Sequence, residues 1–126
     1  MKQEIKSFRD LEVYQKAIEL TKTIYQEVSK FPKSERFVLT EQVLRSANSV
    51  GANIAEGFGR YHTKDLIRFL YNARGSLSET YHHFIMAKEL KYLKEKDFNI
   101  IEEKINELAI KLNNLIRSLS LKNKSR

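Results

Sequence analysis

The chain has 126 residues, a length typical of one domain, and its 41% hydrophobic and 31% charged residues are typical of a globular protein, not a disordered one. One Pro and four Gly leave little material for the many turns of a β-sandwich or barrel, and zero Cys excludes disulfides, a thiolate nucleophile and Cys-ligated zinc. The 23 basic and 16 acidic residues leave a net charge of +7, which favours an acidic partner such as nucleic acid or an anionic membrane surface.

Apolar residues recur at three- and four-residue steps in four stretches, which is the period of an amphipathic helix. The first predicted helix covers about residues 10–29, and Pro32 separates it from the next because proline disfavours a helical residue before it. The second covers about 34–57. We expect Gly57 and Gly59 to end it, since glycine tolerates the left-handed conformation that terminates helices.

The third predicted helix covers about 63–91 and the fourth about 96–119, followed by a basic, frayed tail over 120–126. Short connections make consecutive long helices antiparallel, so we predict a single all-α domain, an antiparallel up-down-up-down four-helix bundle. Residues 1–6 lead into no apolar run and no 18-residue apolar stretch occurs, so the sequence predicts neither a signal peptide nor a membrane span.

Small and amide side chains fill the middle of the second predicted helix, where Gly51 costs about 1 kcal/mol relative to Ala. The third predicted helix has a matching stretch around Gly75. We interpret both glycines as positions where the two helices pack closely, with Ser49 facing Gly75.

The same antiparallel register predicts two ion pairs. If level residues have numbers that sum to about 124, Arg45 lies level with Glu79 and Glu56 lies level with Arg68. We therefore expect these four residues to form structural ion pairs between the second and third helices.

A polar line runs down the third predicted helix through Asn72, Ser76, Glu79 and His83, at steps of four, three and four. Polar groups flanked by apolar residues are hydrogen-bonded inside a protein, used at a subunit contact or solvated. The sequence leaves these alternatives open.

The sequence gives little support for catalysis. Glu56 and Glu79 are acid or base candidates only by location, and an ion-pair role explains them more simply. His82 and His83 are adjacent, so a helix points them about 100° apart and they cannot share one metal. We predict no catalytic residue, no metal site and no cofactor, and thus a protein that is not an enzyme.

Nucleic-acid binding has better support, because two basic clusters stand out. The first surrounds the turn after the second helix, where Tyr61 and His62 are interleaved with cations, and aromatic rings can stack on unpaired bases. The second ends the chain, with no acid after Glu107. The residues we assign to phosphate contact are Arg60, Lys64, Arg74, Lys111, Arg117, Lys122, Lys124 and Arg126. The alternative is a solubilising surface with a frayed tail, and no signature of base-specific readout is present.

Oligomerisation is the other class of hypothesis. The chain has six tyrosines, too many to bury easily in a slim bundle because each hydroxyl needs a partner. Some are therefore expected at subunit contacts, and repeated basic clusters in a ring would multiply weak phosphate contacts through avidity.

Several motifs in order resemble one family over roughly residues 8–119. They are FRDLEVYQKA at 8–17, FPKSER at 31–36, NIAEG at 53–57, GR at 59–60, RFL at 68–70 and ARGSLSE at 73–79. Together they resemble the bacterial 23S rRNA intervening sequence proteins, to which the accessory variability determinant of diversity-generating retroelements is similar. Val50 and Gly51 depart mildly from the family pattern.

The resemblance implies an antiparallel four-helix bundle that assembles as a pentameric ring, from a family whose reading frames occur within insertions in bacterial large-subunit rRNA genes. The retroelement relatives are basic, bind nucleic acid and contact a reverse transcriptase. No catalytic residues carry over from the family.

We therefore expect a non-enzymatic, cytoplasmic homo-oligomer, a pentamer, that binds RNA or DNA and no membrane. A reverse transcriptase is an expected partner where one is encoded beside the gene. The alternative function is a structural or protein-interaction module without direct nucleic-acid binding.

Overall fold

Four long helices account for most of the structure, a computed structural model that describes residues 4–124. They are α1 (Glu12–Val28), α2 (Leu39–Phe58), α3 (Thr63–Glu89) and α4 (Glu95–Lys124). Single 3₁₀ turns at Phe8–Asp10 and Lys33–Glu35 precede α1 and α2. No strand occurs within residues 4–124, so the all-α prediction is confirmed.

Each helix contacts two others, because α1 and α3 both pack between α2 and α4. In each pair of neighbouring helices, residues later in one helix contact residues earlier in the other. In α1 and α4, for example, Lys16 pairs with Glu107 at 2.9 Å while Glu12 pairs with Lys111 at 3.2 Å. Contacts of this kind belong to antiparallel neighbours and are compatible with the predicted up-down-up-down order.

One apolar core runs along the bundle and takes residues from all four helices. Each large apolar side chain that folding removes from water contributes about 1.5–3 kcal/mol. The largest fully buried apolar side chains are Phe84, Ile24, Ile54, Leu70, Leu77, Ile101, Leu108 and Leu112.

Two helix boundaries differ from the sequence prediction. α2 begins at Leu39 and not near 34, because the 3₁₀ turn and the non-helical backbone of Val38 (φ −122°, ψ −97°) intervene. α4 runs through Lys124, so residues 120–124 of the predicted frayed tail are helical. Leu119 packs against the core, and Lys122 and Lys124 are favourable near the negative end of the helix dipole. Arg126 lies outside the described residues.

α3 ends in a left-handed residue that is not glycine. Lys91 has φ 63°, the one positive φ among the described residues. The Tyr92 N–H donates to the Ala87 carbonyl at 2.9 Å and the Lys91 N–H donates to the Lys88 carbonyl at 3.0 Å. These two bonds form a Schellman motif, which terminates a helix without the glycine that its sequence signal normally requires. α2 does not end in the left-handed glycine that we expected, since its C-cap Gly59 keeps a helical φ of −76°.

α2 and α3 are joined by two hydroxyl pairs between small side chains. The Oγ atom of Ser46 lies 2.8 Å from Thr80 Oγ1, and both residues are fully buried. One turn further along α2, Ser76 Oγ donates to Ser49 Oγ at 2.9 Å. The predicted register is thus close to the observed one, with Ser49 opposite Ser76 and not Gly75.

The glycines predicted to make this contact are the wrong ones. A Cβ on Gly51 would meet Tyr14 Cε1 at 3.7 Å, so Gly51 faces α1, and a Cβ on Gly75 would meet nothing within 4 Å. The close approach is at Gly57, where a Cβ would lie 2.7 Å from the Cβ of Phe69. Gly51 and Gly57 are six residues apart, which places them on different faces of α2.

Alanine substitutions at Gly57 and Gly75 test this packing, with Gly75 as the control. Gly57→Ala is expected to destabilise the protein by about 1–3 kcal/mol, because the new methyl group must push against the Phe69 Cβ, which cannot move without its backbone. Gly75→Ala is expected to stabilise it by up to about 1 kcal/mol, because α3 has open space there and alanine is the better helix former. Urea unfolding followed by circular dichroism measures both. Equal effects of the two substitutions would contradict the observed packing.

Candidate nucleic-acid interface

The structure brings parts of the two predicted basic clusters to the same end of the bundle. The turn between α2 and α3 lies beside the last turn of α4, because α4 is antiparallel to α3 and runs through Lys124. An open cleft of about 520 Å³ joins them and is lined by residues 61–65 and by Asn123. We call this end, with the residues before α1, the basic end.

The charge surplus is larger here than at the other end. The basic end has Lys6, Arg9, Arg60, Lys64, Arg68, Arg117, Lys122 and Lys124 against Glu4, Asp10, Glu12, Glu56 and Asp65. The opposite end has Lys30, Lys33, Arg36, Lys88, Lys91, Lys94 and Lys96 against Glu27, Glu35, Glu41, Glu89, Glu95 and Asp97. The basic end therefore has a surplus of three positive charges and the opposite end a surplus of one.

The cations of the α2–α3 turn differ in how far they are already paired. Arg60 donates to Glu56 at 3.0 Å and its guanidinium lies 4.8 Å from the centre of the Phe69 ring. The Lys64 side chain is exposed and makes no ion pair or hydrogen bond with any other residue between 4 and 124. Lys64 is thus the side chain of this turn whose charge is most available to a ligand.

At the end of α4, Arg117, Lys122 and Lys124 are all exposed. Lys111 is not part of this group, because it pairs with Glu12 at 3.2 Å and precedes Asn123 by twelve residues, about 18 Å along the helix.

Arg74 also lies apart from the basic end. Its guanidinium donates to Asn113 Oδ1 at 2.9 Å and lies 4.6 Å from the centre of the Tyr71 ring. Ten residues, about 15 Å of helix, separate it from Lys64. The structure therefore does not bring Arg74 and Lys111 together with the other predicted phosphate contacts.

Sequence reasoning missed three residues of this end. Asn123 lines the cleft, while Lys6 and Arg9 are exposed beside the start of α1. The antiparallel order already indicated that the end of the fourth helix returns to the α2–α3 turn. Asn123 was missed because the predicted fourth helix stopped at about residue 119.

The predicted ion pair between Glu56 and Arg68 is wrong. Glu56 pairs with Arg60, and Arg68 lies 3.7 Å from Asp65 on its own helix. The Phe69 ring explains the arrangement, since the Arg60 and Arg68 guanidinium groups lie 4.8 and 5.0 Å from its centre. Both pairs join residues three or four apart in sequence, a spacing at which charged side chains on a helix are neighbours.

The structure does contain an ion pair between Arg45 and Glu79. His83 Nε2 lies 3.1 Å from the same carboxylate. The His83 imidazole, followed by the Arg45 guanidinium, lowers the pKa of the Glu79 carboxyl below its ordinary value of 4.5. With Ser76 bonded to Ser49, most of the polar line of α3 has partners within the chain, and Asn72 is exposed.

Among residues 4–124, no three His, Asp or Glu side chains come close enough to hold a metal ion. In the same part of the chain, no helix is both long and apolar enough to cross a membrane.

Comparison with known proteins points to one family. The model of the 23S rRNA-intervening sequence protein family matches residues 9–114. The crystal structure at 1.70 Å of a protein of unknown function from the S23 ribosomal protein family of Bacteroides thetaiotaomicron is similar, with a TM-score of 0.74 and 26% identity. That match covers 82% of this chain and 97% of the other. The comparison with curated proteins found no significant match.

The two charge arrangements can be compared by double-mutant cycles. We expect Arg45 and Glu79 to show a coupling of about 0.2–1 kcal/mol when each is changed to Ala, a size typical of exposed pairs. Glu56 and Arg68, which have other partners, are expected to show none and serve as the control. Additivity at the first pair, or clear coupling at the second, would contradict the observed contacts.

The pH dependence of the Glu79 contribution has a defined sign. A carboxyl whose pKa is lowered by folding stabilises the protein above its ordinary pKa, and the contribution is lost as the pH falls through the lowered value. Chemical unfolding at several pH values should therefore show that Glu79→Gln costs stability at neutral pH and that the cost shrinks below about pH 4.5. A cost that stays constant down to the acid transition would contradict this assignment.

Proposed function

The chain belongs to the 23S rRNA-intervening sequence protein family, and from this premise we propose that it is a non-enzymatic protein that binds RNA or DNA through its basic end. The observation that carries the proposal is the meeting of the α2–α3 turn and the end of α4 at one cleft. Two cation-rich segments 60 residues apart in sequence, around Lys64 and Lys124, thereby form one surface.

Phosphate neutralisation is the mechanism we infer. Lysine and arginine side chains release counterions from a nucleic-acid backbone, and the affinity gained in this way does not depend on the base sequence. Lys64 and Lys124 supply charge that no other described residue neutralises, whereas Glu56 offsets part of the charge of Arg60. Arg117 and Lys122 extend the surface along α4, whereas Arg74 and Lys111 lie apart from it.

The comparisons favour RNA as the first ligand to test. The matched family is named for a sequence that intervenes in 23S rRNA, and the similar Bacteroides protein is placed in a ribosomal protein family. Both descriptions apply to those proteins. For this chain they support a proposal of RNA binding without base-specific readout.

We propose that the chain works as a cytoplasmic homo-oligomer, a pentamer, with a reverse transcriptase as a further partner where one is encoded nearby. Exposed aromatic rings support a subunit contact, since Tyr25 is 50% and Tyr71 46% exposed on the outside of the bundle. Burial of a large aromatic ring at such a contact removes much apolar surface from water, which stabilises the contact.

The second candidate function is a protein-interaction module without nucleic-acid binding. Phe37 and Val38 favour it, because they are 77% and 61% exposed beside each other before α2. Adjacent exposed apolar side chains are typical of a contact with another protein. A partner protein that survives nuclease treatment in a pull-down, with no retained RNA, would support this function over the first.

Salt dependence tests the electrostatic mechanism. With about four phosphate contacts, the affinity for a labelled 23S rRNA fragment should fall on the order of 100-fold between about 50 and 200 mM salt. Fluorescence anisotropy titrations measure it. The variant Lys64→Gln with Lys124→Gln should reduce the slope of log affinity against log salt by about 2.

The matched control for that variant is Lys94→Gln with Lys96→Gln, which removes the same charge from the opposite end. We expect its slope to stay near that of the unchanged protein. An affinity that does not change with salt, or equal effects of the two variants, would contradict binding at the basic end.

Mass measurement tests the pentamer. One chain has a mass of 14.8 kDa, so a ring of five has about 74 kDa. Light scattering coupled to size-exclusion chromatography should give this mass across a tenfold range of protein concentration. A mass near that of one chain would reject the oligomer, and another multiple would replace the pentamer.

A further inference from the structure

We propose that the cleft at the basic end binds an unpaired nucleotide, with its base stacked on the ring of Tyr61. This inference rests on the proposed function and gives it a substrate class, single-stranded nucleic acid in preference to duplex. It depends on Tyr61, on the charges beside it and on Asn123 across the cleft.

Tyr61 has the geometry of a stacking platform. The side chain is 94% exposed, the highest value for a large hydrophobic residue among the described residues. Within residues 4–124 its one ring contact is with the His62 imidazole, edge-on at 4.9 Å and 89°. The hydroxyl makes no hydrogen bond with any described residue. A large ring held in water on a four-residue turn contributes little to the fold, so its use is more readily explained by a ligand.

The cations beside Tyr61 fit the backbone of the same nucleotide. Lys64 follows three residues later, with an ammonium group that no described residue pairs, and Arg60 precedes Tyr61. A ring between cations can hold a base while the cations hold its phosphate, which is how single strands are bound without sequence preference. In a duplex the bases are stacked inside and cannot reach the ring.

Two polar residues of the cleft lining supply groups for the edge of the base. The Asn123 amide offers both donors and an acceptor, and the Asp65 carboxylate offers acceptors. Asp65 would repel a phosphate, since its ion pair with Arg68 is as long as 3.7 Å. We therefore expect the phosphate to contact Lys64 and the edge of the base to contact Asp65 and Asn123.

A fluorescence experiment tests the stacking directly. The chain has no Trp, so Tyr61→Trp introduces a single reporter that keeps a stacking ring. Titration with a 12-nucleotide single strand, as RNA and as DNA, should quench its emission saturably, while a blunt duplex of the same length should quench it far less. Phe37→Trp, at the opposite end, is the matched control and should stay unquenched.

Affinity measurements separate the stacking from the charge. At constant salt, Tyr61→Ala should weaken binding of the single strand about tenfold or more and binding of the duplex less than about twofold, whereas Tyr61→Phe should bind like the unchanged protein. Single-strand binding by Tyr61→Ala within about twofold of the unchanged protein overturns the inference but leaves the proposed function standing. No binding of either ligand by the unchanged protein overturns both.

Discussion

The close contact between α2 and α3 is the constraint on which the other features depend. Gly57 lets the Phe69 backbone approach, and two hydroxyl pairs between small side chains continue the contact along both helices. Burying Ser46 and Thr80 costs little because each hydroxyl also lies within hydrogen-bond distance of a backbone carbonyl on its own helix. Larger side chains on this line would separate the helices.

That contact also sets the geometry of the basic end. Gly57 and Phe69 meet just before α2 ends, so the chain turns into α3 within four residues. The guanidinium groups of Arg60 and Arg68 then both lie over the ring of Phe69, and this contact holds their charges near the turn. Tyr61 has no place in this packing and projects into water. The same tight turn thus orders two cations and exposes one aromatic ring.

The sequence predicted the periodic features well and the local exceptions poorly. The apolar period identified four helices, and charge and side-chain size placed Arg45 near Glu79. The role of Gly51 was missed because helical periodicity alone does not show which neighbouring helix each face of α2 contacts when small side chains occur on several faces. The Lys91 turn was missed because hydrogen bonds and not a glycine hold its left-handed backbone.

The modest charge surplus of the basic end links the two parts of the proposed function. Three excess charges on one copy release few counterions, so a single cleft would hold nucleic acid weakly at physiological salt. Linked copies convert later contacts into intramolecular ones, which raises the overall affinity without any new contact. Along the flank between α1 and α4, Lys16 pairs with Glu107, so that surface offers less net charge to compete for the same strand. Repetition of one weak, end-located site is therefore the arrangement under which this chain would bind a long nucleic acid tightly and a short one poorly.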